Sequence, residues 1–262
     1  VGYCNFLASY PKLALPGGMA KVDRMQLLRD VRQVLVSERC KMKQTELPCE
    51  LLPHLLLGSI EEACQPEMLR EAYGVTHVIN TIAQNCDDML FIECRSRKAF
   101  WQRQSKSSEQ AEQVKVAEAD MMAIKCALCI DPELDYSLSN RRVRAAEIAT
   151  REVQEMYSKA GIKNMLFIAA EDDDEYDILE LHFKECYKFI EAARASGGKC
   201  MIHCAAAQNR SVTLAVAYML TVQSSSLPDI VRSVATRRGG IMLTNEHFQA
   251  LLADFALRRP LT

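Results

Sequence analysis

No apolar run in this 262-residue chain approaches the ~18–20 residues that a membrane-crossing helix needs, and no short hydrophobic stretch precedes a small-residue cleavage site as in a secretory leader. The expectation is a chain with no membrane span. Charge of one sign is also missing, since 32 Lys and Arg stand against 34 Asp and Glu; the formal net charge of −2 argues against a general polyanion binder. Aromatic residues make up 6% of the chain, with Trp101 the single tryptophan, and no stripe interleaves them with basic residues to track a nucleic-acid strand. Trp101 reads equally as a core residue and as an interface residue. No internal repeat is visible. His54, His77, His182 and His247 are scattered without ligand spacing, and the pair Cys126 and Cys129 has no second pair near it, so neither a metal nor a cofactor is expected.

What is there is an ordinary globular composition, 49% hydrophobic and 25% charged, able to bury a full core. Eleven cysteines, an odd number without pattern, suit a reducing compartment. The expected location is the cytoplasm, with a mitochondrion or other organelle as the alternative if an N-terminal segment is removed ahead of Val1. The first forty-odd residues are locally basic, through Lys12, Lys21, Arg24, Arg29, Arg32, Arg39, Lys41 and Lys43. A helix there has the charge to touch RNA or a membrane surface, although a solvated face is the plainer reading.

The most informative stretch is residues 198–220. Lys199 to His203 reads as a buried strand and Ser211 to Leu220 as an apolar helix, so Cys204 to Arg210 forms a loop opening onto a helix N-terminus. Backbone N–H groups at such an end point at any anion in the loop. The same end favours the anionic form of a thiol, which makes Cys204 a candidate nucleophile toward phosphorus. Arg210 can grip two phosphate oxygens with its planar fork. Ser211 has a hydroxyl suited to stabilising the thiolate as it leaves. The spacing alone proves little, because Cys64 and Arg70 stand in the same relation. Between those two lie Pro66, which has no N–H, and Glu67, whose charge repels phosphate, so that copy reads as structural.

The run His203-Cys204-Ala205-Ala206-Ala207-Gln208-Asn209-Arg210-Ser211 resembles the signature of the cysteine-dependent protein tyrosine phosphatases, most nearly their dual-specificity branch. Leu52 to Ser59 is similar to the family's opening strand and turn, Gly74 to Asn80 to its next strand, and Tyr157 to Ile168 to the strand before its general-acid loop. Leu181 to Ile190 and Leu243 to Phe248 resemble the helix before the signature and the opening of the last helix. The resemblance covers residues 48–92 and 148–258. It implies a phosphate-binding loop of Ala205, Ala206, Ala207, Gln208, Asn209 and Arg210, a nucleophile at Cys204, and a supporting role for buried His203.

General acid assistance is typically worth ~10²–10⁴-fold when the leaving group is an alkoxide or phenoxide. The family's acid loop falls here on Glu171-Asp172-Asp173-Asp174-Glu175; counting back from Phe183 and Phe189 favours Asp173, with Asp172 the runner-up. Most of these charges serve simply as a solvated turn before a helix near Asp177. One departure stands out: the family usually has glycine three residues after the cysteine, where this chain has Ala207. A Cβ in the left-handed region costs on the order of 1 kcal/mol or more, so the loop is expected to be strained or occluded.

The loop carries no charge from Ala205 to Asn209, whereas superfamily members acting on inositol lipids resemble one another in having lysines there. The expected substrate is therefore a phosphorylated protein, through phosphotyrosine and also phosphoserine or phosphothreonine. The rival expectation is a weak or inactive relative that acts as a scaffold or assembly factor in a larger complex, organellar and RNA-containing in one version.

The expected organisation is a basic helical extension over 1–46, a phosphatase-like domain over 47–258 and a tail at 259–262. Residues 20–39 have helical spacing. The domain is interrupted at about 92–144 by an insertion, helical or partly flexible, longer than the usual ~12–15 residues of a compact loop and the expected seat of partner contacts. Within it, Ser107 to Leu128 has helix-favouring composition. Alternating strand and helix signals predict an α/β fold with a central, mainly parallel sheet of four to five strands and helices on both faces. Three helices follow the loop, and the loop itself lies at the carboxyl end of a strand.

Overall fold

The computed structural model describes residues 23–40, 47–104, 112–120 and 137–258. Cys126, Cys129 and, of the N-terminal basic residues, Lys12, Lys21, Lys41 and Lys43 lie outside these residues, as does the side chain of Trp101.

At the centre is β5 (Lys199–His203), parallel to β2 (Leu55–Gly58) on one side and to β3 (Val75–Asn80) on the other. The sheet continues with β1 (Cys49–Leu52), antiparallel to β2, and β4 (Asn164–Phe167), parallel to β3, giving the order β1-β2-β5-β3-β4. A strand covered on both faces reads as a continuous apolar run, as Cys200-Met201-Ile202 does. Gly198 introduces it because a Cβ there would stand 2.1 Å from Thr76 Oγ1 on β3.

Two-residue alternation sorts the strand side chains into two cores. Leu55, Leu57, Ile79, Cys200 and Ile202 face a layer made of α1 (Arg24–Cys40), α7 (Ile178–Ala195), α8 (Arg210–Val222), α9 (Leu227–Arg238) and α10 (Glu246–Arg258). Leu56, Val78 and Met201 face the other layer, built from α2 (Ile60–Ala63), α3 (Pro66–Glu71), α4 (Cys86–Gln104) and α6 (Ser137–Lys159). The sheet is thus mainly parallel, with helices on both faces.

Helix α1 packs into the larger core: Leu27, Leu28, Val31 and Val34 are buried there. Its basic face is partly spoken for, since Arg24 pairs with Asp254 at 2.6 Å and Arg32 with Glu246 at 2.8 Å on α10. Within 92–144 the described parts are helical. The short helix α5 (112–120) docks on α4 through Arg97–Asp120 at 2.9 Å and Lys98–Glu118 at 2.7 Å. Helix α8 is buried at every position from Ser211 to Leu220, which explains its all-round apolar composition. Its N-terminus receives the chain from the end of β5 through the loop 204–209.

Candidate active site

Between β5 and α8 the main-chain carbonyls from Ala205 to Asn209 each find a donor outside the loop. The Ala205 oxygen accepts from Ile60 N–H at 3.0 Å, the Gln208 oxygen from Leu243 N–H at 2.9 Å, and the Asn209 oxygen from Thr213 N–H at 2.8 Å. The Ala206 oxygen accepts from Arg238 Nη2 at 2.8 Å, and the Ala207 oxygen from Arg238 Nε. One residue earlier, the His203 oxygen takes Thr81 N–H and Oγ1. With the oxygens held outward, the N–H groups of Ala205 to Asn209 are left free of protein acceptors among the described residues. That is the arrangement of an anion cup at a helix N-terminus.

Cys204 sits at the base of this loop, 2% exposed, and Ser211 Oγ donates to its Sγ at 3.2 Å. Arg210 opens α8 and donates from Nη1 to the Ala170 carbonyl at 3.2 Å, while its buried Nε has no protein partner in hydrogen-bond geometry. A guanidinium anchored at one nitrogen with another left over is poised for an oxyanion. His203 is fully buried with both ring nitrogens unpartnered. Burial pushes its imidazole down to about 4, with the Cys204 backbone acting in the opposite sense, so it stands neutral behind the loop.

Ala207 has φ of 51°, in the left-handed region where a glycine is at ease. Its methyl is fully buried in the larger core, while Ala205 and Ala206 are exposed. The expected strain is therefore present, but the methyl is packed against core side chains, so the expected occlusion has no cause there. Leu243, whose N–H serves the loop, also has a positive φ, of 50°.

The acid loop leaves β4 and is rooted on the end of β3, with Ile168 N–H on the Asn80 oxygen at 2.8 Å and Ala170 N–H on the Thr81 oxygen at 3.3 Å. Of its carboxylates, Asp172 faces the cup. Its Oδ2 accepts from Asn209 Nδ2 at 3.2 Å and lies 3.9 Å from Arg210 Nε, and its Oδ1 accepts from Asn245 Nδ2 at 3.2 Å. Asp173, the expected acid, instead turns its carboxylate to Glu175 N–H at 2.8 Å, closing a local turn. The physical reason is the Asn209 and Asn245 amides, which offer partners to the carboxylate one position earlier. Downstream, Tyr176 reaches His182 Nε2 at 2.6 Å, tying the loop to α7.

Cys204, Asp172, Asn209, Arg210 and Ser211 thus come together, as do the loop alanines. Asn245 and Arg238 were not singled out from sequence. The Thr244-Asn245 pair at the opening of α10 carried only a resemblance, and Arg238 only a helix-ending Arg-Arg-Gly-Gly. The control pair behaves differently: Cys64 donates to the Met89 oxygen at 3.2 Å and Arg70 leans on the Val75 carbonyl. Burial and neighbouring glutamates push the Cys64 thiol up. No group of His, Cys, Asp or Glu able to hold a metal exists among the described residues.

Residues 135–257 match the family model described as dual specificity phosphatase, catalytic domain. Dual specificity protein phosphatase 22 of Homo sapiens is 37% identical over 95 residues, covering 36% of this chain and 50% of that protein. Dual specificity protein phosphatase 15 of Mus musculus is 36% identical over 90 residues, covering 34% of this chain and 37% of that protein. The chain spans half or less of the length of these two curated relatives. Among solved structures, that of DUSP15 covers 80% of this chain and 90% of its own at 21% identity and a TM-score of 0.45. That of human DUSP28 covers 79% and 92% at 19% identity and a TM-score of 0.47.

Proposed function

We propose that this chain, which carries a dual specificity phosphatase catalytic domain over residues 135–257 and so stands within the cysteine-dependent protein tyrosine phosphatases, hydrolyses phosphate monoesters on protein side chains. The observation that carries the reading is the set of unclaimed N–H groups around Cys204, with Ser211 Oγ on its sulfur and Arg210 Nε left over.

The reaction runs in two displacements. The Cys204 thiolate attacks phosphorus and an S–P bond forms as the P–O bond to the side-chain oxygen breaks. Asp172 gives its proton to that oxygen, which leaves as the phenol or alcohol. Water then attacks the cysteinyl phosphate and passes a proton to the Asp172 carboxylate. The S–P bond breaks, phosphate departs, and the sulfur regains its negative charge against the Ser211 hydroxyl. The loop amides and Arg210 hold the equatorial oxygens in both steps. Asn209 and Asn245 position Asp172 between them.

The uncharged run from Ala205 to Asn209 supports a monophosphate substrate, phosphotyrosine as well as phosphoserine or phosphothreonine. The seven cysteines whose side chains are described are all free thiols, which supports a reducing compartment such as the cytoplasm. Phosphate release from an aryl phosphate tests the reading. The parent protein is expected to turn over and Cys204→Ser to lose at least ~10³-fold, as removal of a covalent nucleophile does. Equal activity in the two, or none in the parent, contradicts it; the latter outcome leaves a scaffold on a phosphatase fold.

A further inference from the structure

We infer that Arg238, on the far side of the loop from the substrate, is a positioning residue that holds the anion cup open, and that it does so to compensate for Ala207. This deepens the phosphatase reading and rests on it for the identity of the anion.

Arg238 is the last residue of α9, and its three guanidinium nitrogens are each engaged by main-chain oxygen. Nε donates to Ala207, Nη2 to Ala206 at 2.8 Å, and Nη1 to Gly239. Two consecutive carbonyls of the loop are thereby drawn outward by one planar fork. Turning a peptide oxygen outward turns its N–H inward, so the clamp sets the direction of the amides of Ala207 and Gln208, which follow those two oxygens in the chain. Ala207 most needs such a clamp. Its φ of 51° is disfavoured for a residue with a Cβ, and without an outside hold the loop gains by relaxing toward negative φ, which swings an N–H out of the cup.

An independent feature points the same way. The turn after Arg238 uses two left-handed glycines, Gly239 at φ 65° and Gly240 at φ 66°. A Cβ at Gly240 would stand 2.8 Å from Arg238 Nη1, so the missing side chain leaves the room that the guanidinium occupies. Burial pushes the Arg238 guanidinium down, with nearby Cys49 and then Cys204 acting in the opposite sense. Lysine could supply that charge but not the fork that serves adjacent carbonyls.

The test is calorimetric titration with tungstate, a phosphate-shaped anion, alongside thermal melting. Arg238→Lys is expected to weaken tungstate binding about tenfold, the usual consequence of losing charge-assisted hydrogen bonds, and Ala207→Gly in the same chain is expected to restore most of the loss. A merely structural arginine predicts lower melting without selective loss of anion affinity and without rescue by glycine. Should Arg238→Lys fail to fold, Gly240→Ala displaces the guanidinium without removing it and is expected to weaken tungstate to a similar degree. Tungstate binding as tight as the parent's in Arg238→Lys, or in Gly240→Ala where that variant stands in for it, overturns the inference and leaves the phosphatase reading intact. A parent that binds no tungstate overturns both, whereas a parent that binds tungstate through this clamp but turns over no aryl phosphate keeps the inference and defeats the catalytic reading alone.

Discussion

At Ala207 two small effects of opposite sign meet. Left-handed φ costs alanine on the order of 1 kcal/mol relative to glycine, while a fully buried methyl contributes roughly 0.8 kcal/mol. Ala207→Gly is therefore expected to leave global stability within about 1 kcal/mol of the parent by urea titration. The acid is a sharper case. Asp172→Asn is expected to lower kcat by ~10²–10⁴-fold on substrates with poor leaving groups and much less on an activated aryl phosphate, with Asp173→Asn near the parent on both. The reverse ranking, read from kcat on the two substrates, would return the role to Asp173. Residue types made Cys204 and Arg210 legible, because a thiol and a guanidinium at the ends of a strand-to-helix loop leave a chemical signature. Five consecutive carboxylates do not say which one faces the cup, since that depends on the amides of Asn209 and Asn245 contributed by other segments. Arg238 was illegible for a related reason: its partners are main-chain oxygens, which any residue supplies.

Among the elements, strands and helices with a strong apolar pattern were readable to within a residue or two. Lys199 to His203 is a strand with those limits, and the apolar helix read over Ser211 to Leu220 extends to Arg210 and Val222 at its ends. The short β1, ahead of the Leu52 to Ser59 strand and turn, was less plain, as four residues hold too little periodicity. Helix α1 shows how charge and core share one element. Val31 is 1% exposed, whereas Arg32 pairs on the surface. Val31→Ala is expected to cost about 1–3 kcal/mol and Arg32→Ala under about 1 kcal/mol by chemical denaturation. Equal costs would mean that α1 is held by its ion pairs rather than by its apolar face.

For the molecule as a whole, the family match begins at residue 135, yet β1, β2 and β3 lie before it and pair into the same sheet. The segment between β3 and β4 separates in sequence what the sheet reunites in space, and strand pairing rather than chain continuity defines the domain. Stability should also follow pH through the buried histidine at its centre. His203 is held at about 4 when folded against an ordinary 6.5, so the unfolded chain takes up the proton first as pH falls. Its contribution is complete above about pH 6.5 and is lost as pH falls toward 4, by up to about 3 kcal/mol. His54, His77 and His182, also lowered by burial, add in the same sense. Urea titrations at pH 7 and 4.5 check this: the parent should lose stability on acidification, and His203→Gln should lose less. A His203→Gln slope as steep as the parent's would assign the effect to other groups.

The account rests on phosphorus passing through sulfur inside the amide cup. Rapid acid quench of the parent protein during turnover of an aryl phosphate, followed by mass spectrometry of its peptides, reads this directly. One added phosphoryl group on the peptide containing Cys204, absent from Cys204→Ser, is the expected result; turnover with no phosphoryl group on that peptide at any quench time, or with one on a different residue, would contradict it.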